Sequence, residues 1–215
     1  MTPALPYCDM VGRLNLLLAR PQAQIDPSWA PMLTTGFDLL TRPEPVGETG
    51  QSDPVWGNRL GLAVFRTVCG PVPALTDFDV PPGRWCLLSR EDRLARLAAL
   101  GLAGMPGALR ACVRRAPRQA LEVVLGPAYD VLLALGDGAA AAAPQVAERP
   151  PAAWALDGYL ALCRAGRWPD RGVRRWVRLG LPRAPWQDMS PLRPGPHAVH
   201  GCLQHLPAVD GWFRQ

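Results

Sequence analysis

Lysine is absent from this chain of 215 residues, and all 23 of its basic residues are arginine. A chain without lysine has no Walker-type lysine for nucleotide phosphates, no lysine for a Schiff base and no Ser-Lys dyad. Mechanisms that depend on a lysine of this chain are therefore excluded.

Cysteine pairs and long apolar runs are also missing. The six cysteines include no Cys-x-x-Cys pair, and no uncharged apolar stretch reaches the ~18 residues that span a bilayer. No cationic-then-apolar signal peptide opens the chain, because Asp9 and Arg13 precede the short LNLLL run. We therefore expect a cytoplasmic protein with reduced, mostly buried thiols and no direct membrane insertion.

Proline, by contrast, is abundant, with 25 residues, and apolar residues make up 48% of the chain. Interior prolines limit helix length. The composition predicts a mainly α fold, a single domain over 1–215 formed as a compact bundle of many short proline-started helices with an irregular N-terminal segment. The charge distribution adds possible sub-lobes at 1–83 (net −3) and 84–215 (net +8). The low-complexity stretch DGAAAAAPQVAERPP predicts a flexible linker at 137–151.

Two Asp-Pro pairs predict helix starts in the N-terminal part, because aspartate is a good N-cap and proline suits the first helical position. Asp26 is predicted to open a helix at 27–33, and Asp53 a helix at 54–68. The end of the second helix, LGLAVFRTV at 60–68, fits a buried strand equally well, and periodicity does not decide between them.

From Ser89 onward, apolar residues recur at the spacing of amphipathic helices. Ser89 is the predicted cap, and a core-facing stripe follows it: Leu94, Leu97, Ala98, Gly101, Leu102 and Met105. Pro106, Pro117 and Pro127 are predicted to begin the next three helices. The last of these has little polar face, so we expect it to be central and buried. Later helices are predicted at about 154–166, 169–179 and 197–206.

The candidate protein-binding surface is an arginine stripe on the predicted helix 169–179. At about 100° per residue, its arginines occupy roughly a third of the circumference, opposite Val173, Trp176 and Val177: Arg171, Arg174, Arg175 and Arg178. Guanidinium groups suit carboxylates and phosphates. Arg110 and Arg114, on the exposed edge of the predicted 106–116 helix, are further candidates. The plain alternative is a basic face that is only solvated.

No catalytic, cofactor or metal site is predicted. His197, His200, Cys202 and His205 lie close in sequence, but on a helix the histidines scatter over the polar side while Cys202 points inward, so they do not converge on one ion. Ser89 has only acids and arginines nearby in the sequence and no histidine base. The eight tryptophans are interpreted as core or interface anchors rather than as stacking platforms for nucleic acid.

The order of several segments resembles the SctK family (YscK and PscK), accessory proteins of the bacterial type III secretion injectisome. The segments are RLNLLLARPQAQIDPSWAPML, GLAGMPGALRACVRRA, RRWVRLGLP and VHGCLQHLPAVDGWF. The resemblance implies a mainly helical, non-enzymatic subunit of the cytoplasmic sorting platform. In that family the protein links the inner-membrane ring protein SctD, through its cytoplasmic domain, to the pod protein SctQ, which leads on to SctL and the ATPase.

The resulting hypothesis is a structural adaptor located in the cytoplasm at the inner-membrane base of the injectisome. The chain offers no chemical motif, and its arginine-bearing surfaces could meet acidic partners. The alternative is a basic helical module that uses the same arginines to bind nucleic acid, which steep salt dependence of binding to random DNA would reveal.

Overall fold

The computed structural model describes residues 6–32, 66–71, 73–137, 148–183 and 195–213. Within these residues the chain is helical and has no strand, which confirms the mainly α prediction. The α-helices described are, in chain order, α1 (Tyr7–Ala19), α2 (Arg90–Ala103), α3 (Ala108–Ala111), α4 (Arg115–Leu125), α5 (Ala128–Leu135), α6 (Pro151–Arg164), α7 (Arg171–Gly180), α8 (Pro196–His205) and α9 (Val209–Trp212). Short 3₁₀ helices lie at Pro21–Gln24, Pro27–Met32, Leu75–Phe78 and Gly83–Leu87.

The chain packs into two compact units that are both discontinuous in sequence. The first, here called the α7 unit, joins Ala4–Arg90 to Trp168–Ala184; the second, the α6 unit, joins Met1–Pro3, Glu91–Arg167 and Pro185–Gln215. Helix α7 therefore groups with N-terminal residues. The charge-based sub-lobes stay a prediction, and residues 138–147 of the predicted linker lie outside the described residues.

The α7 unit begins with a helix that the sequence interpretation missed. Helix α1 has 13 residues and buries Met10 and Leu18, while Leu14 and Leu17 line the same small apolar space as Phe78 and Trp176. The LNLLL run is short, but Met10 extends its apolar spacing to a second turn. Residues 7–19 are therefore more regular than predicted.

The first Asp-Pro pair behaves as predicted. The Asp26 carboxylate accepts a hydrogen bond from the Ser28 amide (3.0 Å), and a 3₁₀ helix begins at Pro27. Most of the second predicted helix, 54–65, lies outside the described residues. Residues 66–69 are helical, so the strand alternative is wrong for this end of the segment.

Helices α2 and α6 meet at two glycines in the α6 unit. Helix α2 begins directly after Ser89 and buries most of the predicted stripe, with Leu97, Ala98 and Leu102 at 2% exposure or less. A Cβ atom at Gly101 would overlap the carbonyl oxygen of Trp154, and one at Gly158 would overlap that of Leu97. The absence of these two side chains brings the backbones into contact.

Two predictions for the central helices are wrong. The predicted 106–116 helix is only the four-residue α3, because the backbone turns extended at Cys112, and α4 already begins at Arg115. Pro117 fits the first turn of α4. A backbone N–H in the first turn has no intrahelical partner, so no helical hydrogen bond is lost when proline lacks one. Helix α5 is not buried all round: Ala128, Tyr129 and Leu132 are buried, but its other side is partly or fully exposed.

A buried ion pair ties the start of α6 to the chain that precedes it. The Arg149 guanidinium pairs with the Asp157 carboxylate, with a second bond of 3.2 Å, and lies 5.1 Å from the Trp154 ring. Burial raises the pKa of Asp157, and the hydrogen bond and charge of Arg149 act against this shift. Such a pair fixes position more than it stabilises, because desolvation offsets the attraction.

Candidate protein-binding surfaces

Helix α7 carries the predicted arginine stripe, and its buried side is the predicted one, but the helix begins at Arg171 rather than at 169. Asp170 is the N-cap, and its carboxylate accepts hydrogen bonds from the amides of Gly172 and Val173. Val173, Trp176 and Val177 are all at most 3% exposed. The apolar side of the helix is therefore packed inside the α7 unit, and the arginine side lies at the surface of that unit.

The IDPSW segment at 25–29 holds the C-terminal end of α7. The Asp26 amide donates to the carbonyl of Leu179 (2.7 Å), and the Trp29 indole Nε1 donates to that of Leu181 (2.8 Å). Arg90 pairs with the Asp26 carboxylate and donates through Nε to the carbonyl of Gly180 (3.0 Å). These bonds satisfy carbonyls that a helix end leaves without partners.

Arg178 belongs to this helix end rather than to a free surface. Its guanidinium donates to the carbonyls of Leu181 (3.3 Å), Pro182 (2.7 Å) and Arg183 (2.9 Å), and it lies 4.9 Å from the centre of the Trp29 ring. Arginine near a helix C-terminus commonly bonds the last carbonyls in this way. Of the four predicted residues, Arg178 is therefore already engaged within the unit.

The other three arginines of the stripe define what we call the α7 arginine face: Arg171, Arg174 and Arg175. Arg171 and Arg175 are exposed, and Arg174 is partly exposed. The Arg171 side chain makes no hydrogen bond or ion pair with a described residue. This face presents guanidinium groups to solvent on a helix that is anchored along its opposite side.

Arg110 and Arg114 of the α6 unit already have carboxylate partners. Arg110 pairs with Asp137 and donates to the carbonyl of Leu133 (3.1 Å), and Arg114 lies 3.0 Å from Glu148. Exposed pairs of this kind contribute only ~0–1 kcal/mol. These two arginines can still contact a partner protein. Their charge is already compensated by a carboxylate, so they are weaker candidates than the arginines of the α7 arginine face.

A groove in the α6 unit was not predicted. It has a volume of about 660 Å³ and lies among the first two turns of α2, the end of α4 with the start of α5, the start of α6, and the residue after α9. Its walls include Leu94, Val124, Leu125, Pro127 and Phe213. Four separate segments build it, so sequence periodicity gives no sign of it. Val123 on α4 also lines the groove and is 82% exposed.

The cysteines are mostly buried, as predicted: Cys69, Cys86, Cys112 and Cys202 are buried, and none of the six is in a disulfide. Burial raises the pKa of both Cys69 and Cys202 to about 12. Cys202 lies on the inner side of α8 and donates to the carbonyl of Leu100 (3.2 Å). His197 and His200 are exposed on the other side of α8, so Cys202 does not share a face with them.

These observations describe a helical protein whose exposed chemistry lies on a basic helix face and in an apolar groove. A family model described as bacterial type III secretion protein (HrpB4) matches residues 14–209. The chain belongs to this HrpB4 family of type III secretion proteins. No curated protein and no solved structure gives a significant match. In the part of the chain that is described, no helix has the length and apolar character needed to cross a membrane.

Proposed function

We propose that this protein is a non-enzymatic adaptor of the type III secretion sorting platform, linking the cytoplasmic domain of SctD to SctQ. It would act in the cytoplasm at the inner-membrane base of the injectisome, next to SctL and the ATPase, and without a cofactor. Membership of a type III secretion family supports a role in type III secretion. The resemblance of four segments to SctK supports the adaptor role within it.

The observation that carries the proposal is the division of α7 into an anchored side and an arginine face. Trp176 and Val177 hold the helix in its unit, so the guanidinium groups of Arg171 and Arg175 are presented by a fixed backbone. A rigid presentation lowers the entropy lost on binding. Arginine binds carboxylates through two parallel hydrogen bonds, and an acidic partner surface would meet these requirements.

Pairwise binding tests the proposal. The full chain and the double variant Arg171→Glu/Arg175→Glu are each measured against the SctD cytoplasmic domain and SctQ of the same bacterium. Arg178 is left unchanged because it bonds the end of α7. We expect the double variant to lose about tenfold or more in affinity for one partner, with the other unaffected.

The matched control reverses two exposed arginines elsewhere in the α7 unit, as Arg13→Glu/Arg66→Glu. It changes net charge by the same amount. Equal losses of affinity in both variants would therefore show an effect of overall charge and refute binding through the α7 arginine face. A chain that binds neither partner would refute the adaptor role. Tight, steeply salt-dependent binding to random duplex DNA would instead favour a nucleic-acid-binding module.

A further inference from the structure

The groove of the α6 unit has apolar walls that solvent reaches. Leu94, Val124 and Phe213 are partly exposed within it, and Val123 is 82% exposed at its edge. Pro127, Pro150 and Pro151 form another part of the wall, and their rings fix the backbone. The cavity of about 660 Å³ is within the range of ~300–1,000 Å³ typical of ligand pockets, enough for a few apolar side chains.

The exposed charge of the groove is negative, although the chain as a whole carries +5. Glu91 and Asp92 are exposed on the first turn of α2, and Glu91 has no ion pair with a described residue. Arg96 is the cation of the lining, but it is held within the unit. Its Nε lies 2.9 Å from Asp210, its Nη1 lies 3.7 Å from a carboxylate oxygen of Asp92, and its guanidinium lies 4.7 Å from the Phe213 ring.

We propose that this groove is the docking site for an apolar segment of a partner protein that carries lysine or arginine beside its apolar residues. The apolar side chains would cover Leu94, Val124 and Phe213, and the cation would meet Glu91 at the rim. Charge complementarity selects this occupant, because an acidic segment would be repelled at the same rim. The proposal deepens the adaptor function: it gives the chemistry of a second partner, opposite in sign to the one that suits the α7 arginine face.

The test begins with selection of peptides that bind the full chain. Random peptides of about 12 residues, long enough for apolar anchors at helical spacing, are selected on the immobilised full chain. The enriched peptides are synthesised and their affinities measured by fluorescence anisotropy. We expect them to combine apolar residues at three- and four-residue spacing with lysine or arginine, and to bind more weakly at high salt.

Two pairs of variants locate the binding. Val123→Glu is compared with Val113→Glu, since these valines are 82% and 81% exposed and only Val123 lines the groove. Glu91→Arg is compared with Asp130→Arg, since each acid stands in the first turn of its helix and only Glu91 lines the groove. Val123→Glu should weaken binding about tenfold or more and Glu91→Arg about fivefold, while each control should retain the affinity of the unchanged chain.

The proposal is overturned if no peptide is enriched, if the enriched peptides are acidic, or if each variant behaves like its control. It is also overturned if sedimentation finds that the unchanged chain self-associates through the groove and that Val123→Glu makes it monomeric, because the occupant would then be a second copy. Failure of the adaptor function gives a different result: neither SctD nor SctQ would bind, while the selected peptides and their dependence on Val123 and Glu91 would remain.

Discussion

Gly101 and Gly158 lie where α2 and α6 are in backbone contact. A Cβ atom at either position would overlap a carbonyl oxygen of the other helix, and backbone cannot move aside as the end of a side chain can. We expect Gly101→Ala and Gly158→Ala each to lower the free energy of unfolding by about 1–3 kcal/mol. Urea denaturation followed by circular dichroism measures the loss.

Gly12→Ala is the control for these substitutions. Gly12 lies within α1, and a Cβ there would have no heavy atom within 4 Å. Alanine should stabilise the chain at this position by about 0.5–1 kcal/mol, because only helix propensity changes. If Gly101→Ala behaves like Gly12→Ala, the two helices are not in close contact at Gly101.

The buried thiol of Cys202 should make the folded chain less stable in alkali. Its pKa is raised from 9.0 to about 12 by burial, so between these values the unfolded chain releases a proton that the folded chain keeps. The contribution of this thiol is therefore complete below pH 9.0 and falls as the pH rises, by at most ~1.4 kcal/mol per pH unit. Cys202→Ala should reduce the slope of melting temperature against pH above about pH 9.

The matched comparison is Cys8→Ala, which removes an exposed thiol by the same chemical change. Cys69 has a pKa raised to about 12 for the same reason. The double variant Cys69→Ala/Cys202→Ala should therefore have a still smaller slope of melting temperature against pH. Equal slopes in the unchanged chain and in the double variant would contradict the burial of these thiols.

Arg178 stabilises the end of α7 through three carbonyls and the Trp29 ring. Its replacement removes charged donors from the helix end, so Arg178→Ala should lower the free energy of unfolding by about 1.5–3 kcal/mol. Arg175→Ala removes an exposed arginine one turn earlier and should change stability by less than about 0.5 kcal/mol. Thermal unfolding of both variants distinguishes the two roles, and equal losses would refute the assignment of Arg178.

The two faces of α7 could be predicted from sequence because a helix sorts its residues locally: Val173 and Trp176 fall on one side, opposite the arginines. The engagement of Arg178 could not be predicted. It depends on Trp29, whose indole bonds a carbonyl 152 positions along the chain. Periodicity within one helix contains no information about such a partner.

The central helices show the same limit. Proline is accepted anywhere in the first turn of a helix, so Pro117 predicts a start near itself but not at Arg115, where α4 begins. The groove is harder still to predict from sequence, because Leu94, Val124 and Phe213 come from three separate segments that meet only in the folded unit. The resemblance to a secretion family depends on the order of segments along the chain. An error in the predicted start of one helix does not change that order.

The α7 arginine face and the groove lie in different units, and the two surfaces have opposite chemistry. The α7 arginine face is basic and suits an acidic partner; the groove of the α6 unit is apolar with an acidic rim and suits an apolar segment with a cation. An adaptor requires that its two partners do not compete for one surface. Opposite chemistry provides this, because a segment that fits one surface is repelled by the other.

Simultaneous binding is therefore the expected behaviour of the whole chain. A mixture with the SctD cytoplasmic domain and SctQ should give a three-component complex on size-exclusion chromatography with light scattering. Arg171→Glu/Arg175→Glu should lose one partner and Val123→Glu the other, each leaving a two-component complex. A variant with all three changes should bind neither partner while its melting temperature stays unchanged, since each altered residue is exposed. If one partner displaces the other from the unchanged chain, the two surfaces do not act as separate docking sites.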